Sequence, residues 1–308
     1  MFLRRWLVVC IVSLVIATPL TGAPIGALIA TRALTVPALA PGAAPALAQT
    51  AEPSLSDRAM EVVHVLADDI GSRPAGSEAE RRAAAYLADG FASLGYAVEV
   101  VPFRYSSARS GSGTSQNVVA RDPAEDPRVP LVVIGAHYDS VPMGPGANDN
   151  GSGTGTTLAV ARELARYPVS GVAVRYVAFG AEEVGLFGSK DYVANLTRAD
   201  RERLQVAISI DMMAVGQQPA FGGSEPWLSE AMARAASQGY RPMNLSGFLR
   251  QMSDHASFLD AGLPGIMFHW VEDPFYHTAL DISANVQPDA LELMGAIAIE
   301  LVRVAARR

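Results

Sequence analysis

The stretch LVVIGAHYDS, residues 131–140, indicates the fold class of this 308-residue chain. Residues 131–136 form an uncharged, apolar run between Pro130 and the polar residues that follow. Such a run is typical of a strand that is buried on both faces of a parallel sheet. Two similar runs follow at residues 172–179 and 206–210. The sequence therefore predicts a sheet whose central strands are parallel and buried.

Helical patterns alternate with these strands. Apolar residues spaced three and four apart over residues 56–96 predict two helices, which a Gly-containing segment at 71–76 separates. Further helices are expected at 152–167, 188–196, 227–238, 256–260 and 288–306, and further strands at 97–105, 116–120 and 265–270. This alternation predicts an α/β fold with a mostly parallel mixed central sheet covered by helices on both faces. A single domain is expected to span residues 56–308.

The first 48 residues differ from the rest in composition. Residues 6–31 carry no charge and follow Arg4 and Arg5, and an Ala/Pro-rich linker continues to Ala48. We expect either a cleaved signal peptide or an uncleaved N-terminal membrane anchor. A membrane contact is expected only through such an anchor. In both cases the two arginines stay in the cytoplasm and the domain is exported. It would be secreted, periplasmic or tethered to the outer side of the cytoplasmic membrane.

Charge and cysteine content narrow the possible partners. Cys10 is the one cysteine of the chain and lies in the apolar segment, so no disulfide is expected in the exported domain. The formal net charge is −7, and it becomes −10 without residues 1–48, which contain three arginines and no acidic residue. Because nucleic-acid binding requires a basic surface, this acidity argues against a nucleic-acid partner.

Residues with metal-binding side chains follow the predicted strands. In an open α/β sheet, ligands bind beyond the carboxyl ends of the strands, where the loops meet. Asp149 lies in a Gly-rich loop at 144–155. The remaining candidates each come directly after a strand or in the loop that follows it: His137, Asp139, Glu182, Glu183, Asp211 and His277. The sequence therefore predicts a metal site at this edge of the sheet.

The types and number of these side chains favour two zinc ions. Nitrogen and oxygen ligands without a thiolate suit zinc, and manganese or cobalt is an alternative. A catalytic zinc usually takes three protein ligands and keeps one position for water, so five ligands are too many for one ion. Two ions that share one carboxylate account for the number. Since adjacent residues diverge, one of Glu182 and Glu183 can bind metal while the other acts as a base.

Six segments of the chain resemble the M28 metallopeptidases, a family that includes secreted bacterial aminopeptidases. They occur in the same order as in that family, and the resemblance covers residues 56–308. The segments are GAHYD (135–139), GANDNGSG (146–153), FGAEEVG (179–185), DM (211–212), SDH (253–255) and YHT (276–278).

The resemblance implies a role for each position. Asp149 would bridge two zinc ions per chain. The remaining ligands would divide between the ions as His137 with Asp211 and Glu183 with His277. Glu182 would be the general base and acid. Asp139 would support His137, and Asp281 would play a similar part near His277. Three other histidines, His64, His255 and His269, are expected to be structural.

One segment, residues 249–252, departs from the family pattern. Some related aminopeptidases have a disulfide-braced loop here with a tyrosine that stabilises the transition state, and Arg250 occupies the aligned position. We hypothesise that Arg250 donates to the oxyanion, binds the terminal carboxylate of a very short peptide, or lies in solvent. Tyr276, beside His277, is a candidate to supply the hydroxyl of the missing tyrosine from another direction.

These features together predict an exopeptidase of the aminopeptidase type. It would hydrolyse N-terminal residues from peptides with a free N-terminus, with Glu182 taking a proton from a metal-bridged water. One alternative is a glutaminyl-cyclase-like acyltransferase, for which a metal count near one per chain is expected. A carboxypeptidase, a hydrolase of another amide and a non-catalytic, peptidase-like binding domain are further alternatives.

Overall fold

The computed structural model describes residues 52–108, 111–248 and 252–308. The expectations for residues 1–48 and for Arg250 lie outside these described residues. Within them, no helix is both long and apolar enough to cross a membrane.

The described chain alternates between helices and strands. The helices are α1 (Leu55–His64), α2 (Glu78–Ser93), α3 (Gly153–Arg166), α4 (Phe187–Asn195), α5 (Arg198–Arg203), α6 (Trp227–Ser237), α7 (His255–Asp260) and α8 (Pro288–Ala305). The strands are β1 (Ala97–Ser107), β2 (Gly111–Arg121), β3 (Leu131–His137), β4 (Ala173–Phe179), β5 (Leu204–Ile210), β6 (Gln218–Gly223), β7 (Met243–Asn244) and β8 (Gly265–Val271). A π-helical turn, Val65–Ile70, extends α1.

The strands form one sheet in the order β1-β2-β4-β3-β5-β8-β6-β7. The pairs β4·β3, β3·β5 and β5·β8 at its centre are parallel, as is β6·β7 at one edge. The pairs β1·β2, β2·β4 and β8·β6 are antiparallel. This arrangement confirms the predicted mixed, mostly parallel sheet.

The strands of the centre are buried on both faces. Along β3, Val132 and Ile134 pack into a large core with helices α1, α2, α3, α6 and α8. Leu131 and Val133 point to the opposite face and pack into a smaller core with α4 and α7. Because successive side chains of a strand alternate in direction, an uninterrupted apolar run fills both cores. The predicted helical cover on both faces is therefore confirmed.

Three elements were not predicted. Helix α5 has the sequence RADRER and buries no residue, so it lacks the apolar periodicity that marks a helix. Strand β6 contains Pro219 and two glycines, which are unfavourable in strands, and it forms an antiparallel pair with β8. Strand β7 has only two residues.

Candidate metal centre

The parallel strands deliver the candidate ligands to one edge of the sheet. His137 is the last residue of β3 and pairs with Phe179, the last residue of β4. The loop after Phe179 therefore begins beside His137 and brings Glu182 and Glu183 to the same edge. Asp211 directly follows β5, which lies on the other side of β3.

Asp149 lies between two groups of ligands. Its Oδ1 is 3.3 Å from Nε2 of His137, and its Oδ2 is 3.2 Å from Nε2 of His277. On one side, Oδ1 of Asp211 lies 3.4 Å from the same His137 nitrogen. On the other side, Oε2 of Glu183 lies 3.1 Å from the same His277 nitrogen. The structure thus brings together all five ligands that the sequence predicted.

These spacings fit metal coordination. Ligand atoms that bind one tetrahedral zinc at its usual bond lengths lie about 3.3 Å from one another. Oε1 of Glu183 and Oδ1 of Asp211 are buried and make no hydrogen bond among the described residues. Since buried polar atoms are rarely left without a partner, a cation is a suitable partner for both. The donor set and its orphaned oxygens therefore fit divalent ions.

The site carries an excess of negative charge. Its carboxyl groups belong to Asp139, Asp149, Glu182, Glu183, Asp211, Asp254 and Asp281. Burial opposes a charge on His137, yet neighbouring carboxylates, first among them Asp211, raise its pKa well above the usual value. The carboxylates of Asp149 and Glu183, 3.2 and 3.1 Å from its Nε2, raise the pKa of His277 to about 10. The cluster therefore attracts protons to its histidines, as expected of a site built for cations.

Glu182 and Glu183 point to different halves of the site. The carboxylate of Glu182 lies within 4.8 Å of the ligand atoms of His137 and Asp211. Burial raises the pKa of Glu182 well above its usual value, and the charge of Asp254 adds to this effect. Burial and the charge of Asp149 raise the pKa of Glu183 to about 7. The expected divergence of the two adjacent side chains is therefore present.

Asp139 supports the site in a different way from the one expected. Nδ1 of His137 lies 3.1 Å from the backbone oxygen of Asp139 and 3.6 Å from its carboxylate. The carboxylate instead accepts hydrogen bonds from the backbone N–H groups of Glu182 at 3.0 Å and Glu183 at 3.2 Å. Asp139 thus holds His137 through its backbone and holds the two glutamates through its side chain.

Asp281 also differs from the expectation, since its carboxylate binds backbone and not the ring of His277. Its Oδ1 and Oδ2 accept the N–H groups of Asn148 and Asp149 at 2.6 and 3.1 Å. Both oxygens of the carboxylate are therefore used to hold the chain segment that carries Asp149.

The ligands form the floor of a cleft of about 520 Å³. Its walls are largely apolar and include Leu186, Met212, Phe248, Met252 and Met267. The ring of Tyr276 stacks on that of His277 with a centroid distance of 3.8 Å and is half-exposed. His269, expected to be structural, lines this cleft, and its Nδ1 lies 3.0 Å from the backbone oxygen of Asp211. His64 contacts Asp68 outside the cleft, and His255 is fully buried.

Arg73 was not singled out in the sequence. Its guanidinium group is fully buried and donates to the backbone oxygens of five residues: Leu66, Gly71, Tyr138, Pro145 and Gly146. It thereby joins the turn after α1 to the end of β3 and to the start of the Gly-rich loop. Burial lowers the pKa of Arg73 to about 10, while the nearby carboxylates oppose this shift. The available signal was an arginine between Gly71 and Gly76, in the segment that separates the first two predicted helices.

Comparison with known proteins identifies the family of the chain. A sequence model of peptidase family M28 matches residues 117–302, which is more than half of the chain. The chain belongs to peptidase family M28. The resemblance of the six segments is thereby confirmed.

Relatives of this M28 peptidase are named as aminopeptidases. Aminopeptidase YwaD of Bacillus subtilis is 34% identical over 210 residues, which is 63% of this chain and 46% of that protein. The chain thus spans about half the length of this relative. The zinc aminopeptidase BSAP of Bacillus subtilis has the same fold, with a TM-score of 0.73, 22% identity and coverage of 82% and 96% of the two chains. Tannerella forsythia glutaminyl cyclase also shares the fold, with a TM-score of 0.72, 20% identity and coverage of 82% and 99%.

Proposed function

We propose that this M28 peptidase is an aminopeptidase that binds two zinc ions per chain. The observation that carries the proposal is the position of Asp149, whose two oxygens face two different ligand pairs. His137 and Asp211 would hold one ion, and Glu183 and His277 the other. The names of its relatives and structural neighbours, which include a zinc aminopeptidase, support this proposal.

Glu182 is the general base in this proposal. The bound zinc ions would act as Lewis acids that make water more acidic and stabilise negative charge on a carbonyl oxygen. Glu182 takes the proton of the attacking water and gives it to the leaving amine. Glu182 is half-buried, lines the cleft and lies on the side of His137 and Asp211. Tyr276, half-exposed beside His277, is available to donate a hydrogen bond to the substrate.

The charge of the cleft favours an aminopeptidase over a carboxypeptidase. None of the described residues that line the cleft is a lysine or an arginine, whereas Glu272 and Asp273 add two further acidic groups. A substrate carboxylate would be repelled by these groups, and a free α-ammonium group would be attracted. The apolar walls suit a substrate whose first side chain is large and hydrophobic.

We also propose that the domain acts outside the cytoplasm. The support is the sequence of residues 1–48, in which Arg4 and Arg5 precede a long uncharged segment. Fractionation of cells that express the full chain, with antibody detection of the domain in each fraction, tests this. Finding the domain only in the cytosol would contradict it.

The decisive experiment combines metal analysis with a substrate panel. Purified protein should contain about two zinc ions per chain and lose peptidase activity to a chelator. It should cleave Leu- and Met-anilides and spare their N-acetylated forms. One ion per chain together with cyclisation of N-terminal glutamine would favour the acyltransferase. Full activity without metal would refute the proposal.

A further inference from the structure

Side chains accept hydrogen bonds from three of the four consecutive amides at residues 180–183, the loop that carries the two glutamates. Gly180 N–H donates to Oδ1 of Asn117 at 3.2 Å. The amides of Glu182 and Glu183 donate to Asp139. The backbone oxygen of Ala181, between these contacts, accepts a hydrogen bond from the N–H of Phe187 at 3.1 Å. Residues 180–183 therefore have little freedom to move.

Glu80 is a buried acid on α2, outside the metal centre. Its side chain is fully buried. Oε2 accepts a hydrogen bond from the Gly76 N–H at 2.6 Å, and Oε1 accepts one from the Ser115 hydroxyl at 2.6 Å. No lysine or arginine forms a salt bridge with it among the described residues. Burying a carboxylate without a cation is costly, so a purely structural position would be served better by an apolar residue.

The loop rests directly on Glu80 and its neighbours. A Cβ atom at Gly180 would lie 3.0 Å from Oε1 of Glu80 and 2.3 Å from the Ser115 hydroxyl oxygen. The next residue, Ala181, has a φ of 53°, a left-handed conformation that is unfavourable for residues other than glycine. Such a conformation persists only where the surroundings enforce it. Glu80 lies on one side of this residue, and Asp139 holds the two amides that follow.

We propose that Glu80 is a positioning residue for the general base. Together with Ser115 it fixes the path of the backbone at Gly180, directly before Ala181, so that Glu182 and Glu183 point to opposite halves of the metal centre. The assignment of Glu182 as the base rests on the proposed function. The contribution of Glu80 to the loop geometry does not.

The test compares Glu80→Gln with Glu78→Gln, an exposed residue in the first turn of the same helix. Glutamine has one acceptor oxygen, so it cannot accept from both the Gly76 N–H and the Ser115 hydroxyl as the carboxylate of Glu80 does. With two zinc ions bound, kcat of Glu80→Gln should fall by roughly 10- to 100-fold while KM changes by less than about twofold, because a base that is poorly aimed loses part of its contribution. Glu78→Gln should behave as the wild type.

Amide hydrogen exchange gives a readout that does not need activity. In Glu80→Gln the amides of residues 181–183 should exchange at least about tenfold faster, while those of β3 and β5 keep their protection. A lowered melting temperature with unchanged kcat and unchanged loop exchange would show a merely structural role and overturn the proposal.

A milder variant covers the case in which Glu80→Gln does not fold. Ser115→Ala leaves the carboxylate and removes one of its donors. A fall in kcat at constant KM and zinc content would support the proposal, and an unchanged kcat would overturn it. If the wild type itself cleaves no peptide, the proposed function fails, whereas hydrogen exchange still decides whether Glu80 holds the loop.

Discussion

The carboxylate of Asp281 accepts a hydrogen bond from the backbone N–H of Asp149 at 3.1 Å. The other oxygen accepts the N–H of Asn148, and the backbone oxygen of Asp281 accepts the N–H of Ala147. One residue thus holds three successive amides of the segment that leads into the proposed bridging carboxylate. The loss of such a support usually weakens metal binding or activity.

We therefore expect Asp281→Asn to weaken zinc binding. Asparagine keeps the size of the side chain but offers one acceptor oxygen to two N–H donors. The affinity for zinc should fall by about 10- to 100-fold, the range found for residues that support a metal ligand. Competition with a chromogenic chelator measures it. Asp289→Asn, an exposed residue at the start of α8, is the control and should bind zinc as the wild type does.

Separate substitution of the two adjacent glutamates by glutamine distinguishes their roles. Glu182→Gln should keep both zinc ions and lower kcat by at least the roughly 10² to 10⁴-fold that a general base contributes. Glu183→Gln should lose zinc, because Oε2 of Glu183 faces the His277 nitrogen at 3.1 Å. Zinc content by atomic absorption and kcat at saturating substrate are the measurements. Loss of zinc from Glu182→Gln alone would mean that the two roles are reversed.

The metal centre was predictable because its parts are marked along the chain. The apolar run before His137 predicts a buried parallel strand, and a parallel strand places the residues at its carboxyl end at the edge where ligands bind. The residues that hold these ligands leave no such mark. Arg73 and Glu80 are charged residue types that are fully buried, against the usual distribution, and several of their partners, such as Tyr138 and Ser115, are distant in sequence. Tertiary packing alone brings these partners together.

The backbone partners of Asp139 and Asp281 could not be inferred from the sequence for a related reason. Sequence spacing shows that a carboxylate is near a histidine but not that a backbone amide is nearer. Asp139 is two residues from His137 along the chain, yet its side chain turns to the amides of Glu182 and Glu183, more than 40 positions away. In a parallel sheet the ends of neighbouring strands lie closer than this separation suggests.

A network of ion pairs away from the cleft predicts how the free energy of unfolding decreases at acid pH. Asp200 interacts with Arg175 and Arg203, each at 2.9 Å, and both arginines also pair with Glu125. Burial opposes the charge of Asp200, but hydrogen bonds from Arg175 and Arg203 lower its pKa to about 2. A lowered pKa in the folded state means that the stabilisation is present above the unfolded value near pH 4 and is lost as the pH falls toward 2.

Asp200→Asn should therefore be less stable than the wild type at pH 6 by about 1–2 kcal/mol, less than for a fully buried pair because the network reaches solvent. This difference should shrink between pH 5 and pH 3. Urea unfolding of both proteins at each pH measures it, and since both lose metal in acid, the difference isolates Asp200. Asp260→Asn, at an exposed position at the end of α7, is the control. A difference that stays constant down to pH 3 would contradict the assignment.

Backbone strain is concentrated at the cleft. Among the described residues, the non-glycine residues with a φ of 50–73° are Ala181, Leu186, Met212, Glu272 and His277. All but Ala181 line the cleft, and Ala181 precedes Glu182. Strained conformations of this kind cluster at functional sites, where the surrounding structure maintains them.

Glu272 allows this strain to be tested apart from the metal ligands, because its side chain is exposed and its φ is 73°. Glu272→Gly should stabilise the protein: relief of left-handed strain is worth about 1–2 kcal/mol, and the greater freedom of glycine in the unfolded chain offsets about 0.4–1 kcal/mol. The net gain of roughly 0.5–1 kcal/mol corresponds to a rise in melting temperature of about 1–4 °C for a domain of this size. Glu272→Ala is the matched control, since alanine loses the same carboxylate but keeps the strain. A melting temperature of Glu272→Gly below that of Glu272→Ala, both measured with zinc in excess, would show that the conformation at this position is not strained.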